Sequence, residues 1–170
     1  MKYLLLSKKT KQLKKKQIRN ICKLKNTHWN YSYKLNLEWF KKNVKSYDIH
    51  NLIYYKSVLI GYNLLRIRTF YLKKTKYKYF YFDTLIVEKK YRNKGISHFL
   101  MQLNNHVIEK NNKISFLICS DSLINFYKKC GWKVLSKKTF SVGDHNFSTN
   151  GMYFSNKILN KGKYIFYLFK

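Results

Sequence analysis

Apolar residues recur along this chain in two spacings, and the alternation between them divides the sequence into elements. Residues 1–6 end in a short apolar run that reads as a first strand, and a lysine-rich polar connection follows over 7–16. Between 15 and 29, Ile18, Ile21, Cys22 and Leu24 recur every three or four positions, the stripe of a helix that buries one face, until Asn26 and Thr27 break it. Leu37, Trp39, Phe40 and Val44 predict a second helix over 35–44. Residues 51–55 and 58–68 are rich in Ile, Leu and Tyr, and the small polar pair Lys56 and Ser57 joins them as a hairpin. The run 77–87 carries bulky β-branched and aromatic residues on both faces, as a central strand must.

A charged loop, 88–94, leads through Gly95 into a helix over 96–110 whose inner face is Phe99, Leu100, Leu103, Val107 and Ile108. Residues 114–119 read as a buried strand. Asp121 or Ser122 caps a helix that runs through Cys130, and Gly131 supplies the left-handed residue that stops it. Residues 132–140 and 152–158 read as closing strands around a polar loop with Gly143, Asp144 and His145, and 163–169 supplies an optional extra edge strand. The order βααβββαβαββ describes one α/β unit, without repeat or Pro/Gly-rich linker, so 170 residues form a single domain.

Composition changes this picture little. The net charge of +29 suggests a nucleic-acid partner, since lysines release counterions from phosphates. Yet the chain lacks Ala and Pro, Lys and Asn abound, and Arg occurs only at 19, 66, 68 and 92, the imprint of AT-rich coding that places Lys at solvated positions without selection for a ligand. No reader motif accompanies the charge, so no specific nucleic acid is expected; a basic module that stacks bases on its aromatics is the alternative. Three cysteines without metal spacing suggest neither disulfides nor a metal site, and no window is long and apolar enough for a membrane span. A cytoplasmic protein is expected.

Candidate chemistry begins where the strand 77–87 ends. Arg92-Asn93-Lys94-Gly95-Ile96-Ser97 places a basic, glycine-containing loop at a helix start, where free backbone N–H groups and the helix dipole favour an anion. Further along, Asn125-Phe126-Tyr127-Lys128-Lys129-Cys130-Gly131-Trp132 sets an aromatic pair before a glycine stop. Together, the first segment resembles the acetyl-CoA pyrophosphate loop of the GNAT acyl-CoA N-acyltransferase superfamily, and the second resembles its Phe-Tyr-x-x-x-Gly-Phe signature. The motif-bearing core is about 77–135, and Ser97 stands where that pattern has Gly or Ala.

The resemblance implies a GNAT fold: a central, mixed, mostly antiparallel sheet flanked by helices. It implies transfer of an acetyl group from acetyl-CoA to a primary amine, by direct attack and without metal; a basic surface with few carboxylates disfavours polycationic acceptors, and a small amino-sugar or amino-acid-like amine is expected. Carried over by position, Arg92, Asn93, Lys94, Gly95, Ile96 and Ser97 hold the pyrophosphate, the backbone of Leu85, Ile86 and Val87 pairs with the pantetheine, and Ser120 stands where the family often has Asn. Tyr127 becomes the general acid for the departing thiolate. Asp83 is the best-placed carboxylate for the base, while the position of the acidic base in the histone-type branch falls on Tyr81. His28 with Trp29 and Tyr31, and His145 with Asp144, are candidate borders of the acceptor site; aromatic packing and a solvated loop are the plain alternatives. A non-catalytic CoA-binding domain is also compatible with the Ser97 and Ser120 departures. A monomer or homodimer is expected, the latter through aromatic strands near 164–169.

Overall fold

The computed structural model describes residues 2–144, 149–156, 159 and 162–169. His145, and the end of the strand expected at 152–158, lie outside the described residues. The chain packs as two compact units, one made of Met1–Arg66 and Asp83–Asn104, the other of Ile67–Phe82 and Asn105–Lys170.

In the first unit the predicted hairpin is present: β2 (Ile49–Tyr55) and β3 (Val58–Leu72) pair antiparallel around Lys56 and Ser57. Both turn residues are left-handed, with φ of 45° and 63°, the geometry whose twist matches the flanking strands. β1 (Tyr3–Lys9) pairs antiparallel with β2 from Tyr3↔Tyr55 to Lys9↔Ile49, so it starts and ends later than the apolar run alone indicated. β4 (Thr75–Val87) completes this part of the sheet.

Successive residues of β2 face opposite sides, and helices cover both. On one side α1 (Lys15–Trp29) and α2 (Tyr33–Asn43) bring Ile21, Cys22, Leu24 and Phe40 against Leu52, Tyr62, Leu64 and Ile86. On the other, Ile96 and Leu100 of α3 (Ile96–Lys110) meet Ile53 and Ile60. Gly61 permits that approach, because a Cβ there would stand 3.0 Å from Leu100 Cδ1 and 3.2 Å from Ile96 Cγ2. Two details depart from expectation. α1 continues through Thr27, whose hydroxyl donates to the Leu24 carbonyl at 2.8 Å instead of ending the helix. Phe99 is 46 % exposed beside Tyr3, because the inner stripe of α3 is Ile96, Leu100 and Asn104, one helical step away.

The second unit extends β4 through a parallel ladder, Phe80↔Ser115 and Tyr81↔Phe116, to β5 (Ser115–Cys119). Antiparallel β8 (Asn150–Phe154) and β6 (Lys133–Leu135) follow. α4 (Asp121–Lys129) precedes β6. The single strand expected over 132–140 is broken: the Thr139 N–H and hydroxyl both bond the Ser136 carbonyl, and the turn separates β6 from β7 (Phe140–Val142). β9 (Tyr164–Phe166) pairs antiparallel with the end of β3 and parallel with β7, and Tyr164 and Phe166 are buried. That removes the free aromatic edge on which the dimer expectation rested. The core here is aromatic, with Phe116 and Phe166 stacked 3.9 Å apart. Mixed α/β order and a mostly antiparallel sheet are as the sequence predicts.

Candidate functional site

The strand-to-helix passage lies in the first unit. After Val87, the Glu88 side chain accepts from the Lys89 N–H and starts a single 3-10 turn, Lys89–Tyr91. Asn93 and Gly95 are then left-handed, with φ of 59° and 75°, and α3 begins at Ile96. Ile96 is buried and anchors the helix, Ser97 lies half-buried in its first turn, and Asn93, Lys94 and Gly95 are exposed. A Cβ at Gly95 would meet nothing within 4 Å, so the backbone there faces open space. The first-turn amides of α3, which have no partner within the helix, begin at that opening.

The basic side chains of the loop also make contacts within the chain. Arg92 Nε donates to the Val87 carbonyl at 3.1 Å, and its Nη2 lies 3.4 Å from His28 Nδ1. Arg92 thus ties the loop to the strand end. The Lys94 ammonium lies 5.7 Å from the Tyr91 ring. Ile86 is buried in the core, and Leu85 and Val87 pack beneath α3, so the side chains of this strand end are structural.

Beside β4, Lys25, Trp29, Tyr31, Leu35, Asn36, Trp39, Asp83 and Thr84 line a cavity of about 350 Å³. Of the aromatics expected at an acceptor site, Trp29 and Tyr31 line it, whereas His28 is exposed and edge-on to Trp29. Asp83 is not a free carboxylate. Its Oδ2 accepts from Arg66 Nη1 at 2.6 Å and its Oδ1 from the Thr84 hydroxyl at 3.3 Å, while Arg66 Nη2 donates to the Asn43 carbonyl. Arg66 is 2 % exposed, and its charge is offset by Asp83.

Lys25, which the sequence did not single out, is 6 % exposed. Its ammonium sits 3.5 Å above the Trp39 ring and 5.4 Å from that of Trp29. Burial lowers its pKa to about 8, the Asp83 and Cys22 charges opposing that and Arg66 adding to it.

His50 is fully buried in the same unit. Its Nδ1 lies 2.9 Å from the Tyr62 hydroxyl and its Nε2 2.8 Å from Thr10 Oγ1, which itself donates to the Asp48 carbonyl. Tyr62, kept protonated by burial, donates to Nδ1, and Nε2–H donates to Thr10. The ring is neutral, its pKa pushed down to about 3 by burial and then by Lys25.

In the second unit α4 places Tyr127 edge-on to Phe82, with ring centroids 6.1 Å apart, and beside Trp132. Gly131, at φ 83°, closes the helix by a Schellman pattern: Gly131 N–H donates to the Lys128 carbonyl and Trp132 N–H to that of Tyr127. Asn105 locks the corner, accepting from Trp132 Nε1 at 3.0 Å and donating to the Cys130 carbonyl at 2.8 Å. Burial, then the neighbouring Cys119 and Cys130, raise the Tyr127 pKa, so its hydroxyl stays protonated.

Ser120, rather than Asp121 or Ser122, is the N-cap of α4. Its hydroxyl lies 2.9 Å from that of Ser122, and Asp121 instead accepts from Asn150. Tyr81 is packed in the aromatic core, and Asp144 accepts from the Leu168 and Phe169 N–H groups, a structural role. Burial raises the pKa of Cys22, Cys119 and Cys130.

Among the described residues no cluster of His, Cys, Asp and Glu could hold a metal ion, and no helix is long and apolar enough to cross a membrane.

Solved structures share this architecture. ElaA of Escherichia coli matches with a TM-score of 0.66 at 15% identity, over 89% of this chain and 99% of its own. An acyl-CoA N-acyltransferase of Pseudomonas aeruginosa matches with a TM-score of 0.66 at 12% identity, over 89% and 99%. The GNAT family N-acetyltransferase YhbS of Escherichia coli, crystallised in complex with CoA, matches with a TM-score of 0.67 at 12% identity, over 89% and 79%. At such identities they share a fold. No curated protein sequence matches the chain. The model of the acetyltransferase (GNAT) domain, however, matches residues 11–145, a span that holds both the loop before α3 and the Tyr127 corner, and the chain therefore belongs to the GNAT acetyltransferase domain family.

Proposed function

We propose that this protein is an acetyl-CoA-dependent N-acetyltransferase acting on the primary amine of a small amino-sugar or amino-acid-like molecule. The passage from Val87 into α3 carries this reading. Two left-handed residues open the loop, the first-turn amides of α3 start at an exposed edge, and Gly95 leaves space where a side chain would stand. We read that opening as the place of the diphosphate, and the likeness to a structure determined with CoA supports the same ligand here.

Acetyl-CoA supplies the acyl thioester. In this reading the backbone of residues 92–97 holds the diphosphate, the backbone of Leu85–Val87 takes the pantetheine amides, and Ser120 contributes a hydroxyl at the start of α4. The acceptor, as its free amine, bonds the acyl carbon through nitrogen as the carbon–sulfur bond breaks; the thiolate takes a proton from Tyr127, and the proton shed by the nitrogen passes to solvent, from which Tyr127 is reprotonated. Burial keeps Tyr127 protonated at neutral pH, so it is first a hydrogen-bond donor to the developing charge. Asp83, held by Arg66, orients the amine. The raised cysteine pKa values favour direct attack over an acetyl-cysteine intermediate.

Calorimetric titration with acetyl-CoA at low and high salt, against adenosine bisphosphate and a random oligonucleotide, tests the reading. Stoichiometric binding of acetyl-CoA that survives high salt is expected. Binding of polyanions alone, abolished by salt, would leave the +29 charge as the functional feature and remove the acetyltransferase.

A further inference from the structure

The cavity beside β4 has two opposite charges and an apolar wall, and its chemistry narrows the acceptor. One pole is Asp83, whose Oδ2 is committed to Arg66 and whose Oδ1 has only the long bond from Thr84. The other is the ammonium of Lys25, a residue 94 % removed from solvent; it is held against Trp39 and Trp29 by ring contacts, without a carboxylate of its own. Arg66 already offsets Asp83, so the cavity carries one net positive charge, that of Lys25. A buried ammonium with no anion is costly, and a ligand that brings a carboxylate removes the cost. Between the poles stand Trp29, Trp39 and Leu35, a surface for a flat or branched apolar group. The volume of about 350 Å³ is near the lower end of the range of about 300–1,000 Å³ for small-molecule sites, and suits one amino acid rather than a peptide or sugar chain.

We infer that the cavity binds an apolar or aromatic amino acid with a free carboxylate, the carboxylate paired with Lys25, the amine directed to Asp83, and the side chain against Trp29 and Trp39. Polyamines and other polycations are excluded by the unpaired Lys25 charge. The inference rests on the acetyltransferase reading for the fate of the amine, and on the cavity alone for binding.

The test separates the two. Phenylalanine and phenylalaninamide, which differ in the carboxylate, are titrated against the protein without acetyl-CoA, with Trp29 and Trp39 fluorescence as the signal and Trp132 as a constant background. Phenylalanine is expected to bind saturably and at least about tenfold more tightly than the amide, the step for one paired charge in a partly buried site. Lys25→Met should erase the preference while leaving amide affinity within about twofold, and Lys25→Arg should keep most of it. Equal affinity for the two ligands, absence of saturable phenylalanine binding, or a preference that survives Lys25→Met overturns the inference. If phenylalanine binds as described but acetyl-CoA does not, the cavity stands and the transferase reading falls. If acetyl-CoA binds and the amide is acetylated as fast as the acid, the reverse holds. A loss of kcat with both ligands in Lys25→Met, with no change in their relative affinity, assigns Lys25 to proton transfer and likewise overturns the carboxylate role.

Discussion

Asp83→Asn separates a catalytic base from a structural ion pair. Asp83 bonds Arg66 at 2.6 Å, and Arg66 is 2 % exposed, so the variant leaves a guanidinium in the interior without a counter-charge, its partners now neutral: the introduced amide oxygen, the Asn43 carbonyl and the Trp39 ring, 5.6 Å from its central carbon. Breaking a buried pair by removing one partner costs about 3–5 kcal/mol. The Asp83 side chain is 15% exposed, which places the expected loss at the lower end, about 3 kcal/mol. For a chain of this length each kcal/mol shifts the melting temperature by about 2–4 °C, so Asp83→Asn should melt roughly 6–12 °C below the parent by circular dichroism. The double variant Arg66→Met/Asp83→Leu, which removes both charges, should recover most of that loss. Activity is then compared at a temperature where all three proteins are folded. A base role predicts that both variants lose kcat by about 100-fold or more; a positioning role predicts a rise in KM for the acceptor. A melting temperature within about 2 °C of the parent, corresponding to less than about 1 kcal/mol, would refute the pairing argument outright.

Other consequences follow from the same geometry. The Lys25 pKa is lowered to about 8 in the fold against 10.5 for a free lysine, so the unfolded chain binds more protons between those values and stability rises with pH across that window. Lys25→Met should therefore raise stability at pH 7, by an amount on the order of 3 kcal/mol before packing losses, and the gain should vanish by about pH 10.5 in denaturant melts. For His50 the folded pKa of about 3 lies below the free value of 6.5, so stability is full above pH 6.5 and is lost as pH falls toward 3, with a slope near 1.4 kcal/mol per pH unit; His50→Asn should flatten that slope in urea titrations. Gly131→Ala meets only Phe154 at 3.5 Å, so its cost is backbone strain, about 1–2 kcal/mol, and a neutral result would show that the corner can adjust its φ. Tyr127→Phe should lower kcat by about 100-fold with acetyl-CoA affinity retained; an unimpaired variant removes Tyr127 from the mechanism.

The fold was legible wherever a local rule decides it. The hairpin at Lys56 and Ser57, the helix over Ile96–Lys110 and the glycine stop at Gly131 each depend on residues adjacent in sequence. Legibility failed where distant partners decide. Phe99 satisfies the apolar pattern of α3 but lies one step off its buried stripe, beside Tyr3. The C-terminal aromatics read as an exposed edge because nothing nearby in sequence announces that β9 is covered by β7 on one side and the end of β3 on the other.

The cavity was hidden for a related reason: its polar groups come from α1, α2 and β4, and Lys25 is one of many lysines in a chain where lysine carries little information. The arginines carried more. In a sequence whose composition drives cations to Lys, an Arg marks a position where the planar fork has a use that an ammonium cannot meet. Three of the four bear this out: Arg66 holds Asp83 and the Asn43 carbonyl, Arg68 donates to the Leu168 and Ile67 carbonyls, and Arg92 ties Val87 to the loop before α3. Each fixes backbone or a carboxylate at the border of β3 or β4. The buried cations Arg66 and Arg68 thus have acceptors in the fold, whereas Lys25, the buried lysine among the described residues, has ring contacts and no carboxylate paired with it, which is why its position calls for a ligand.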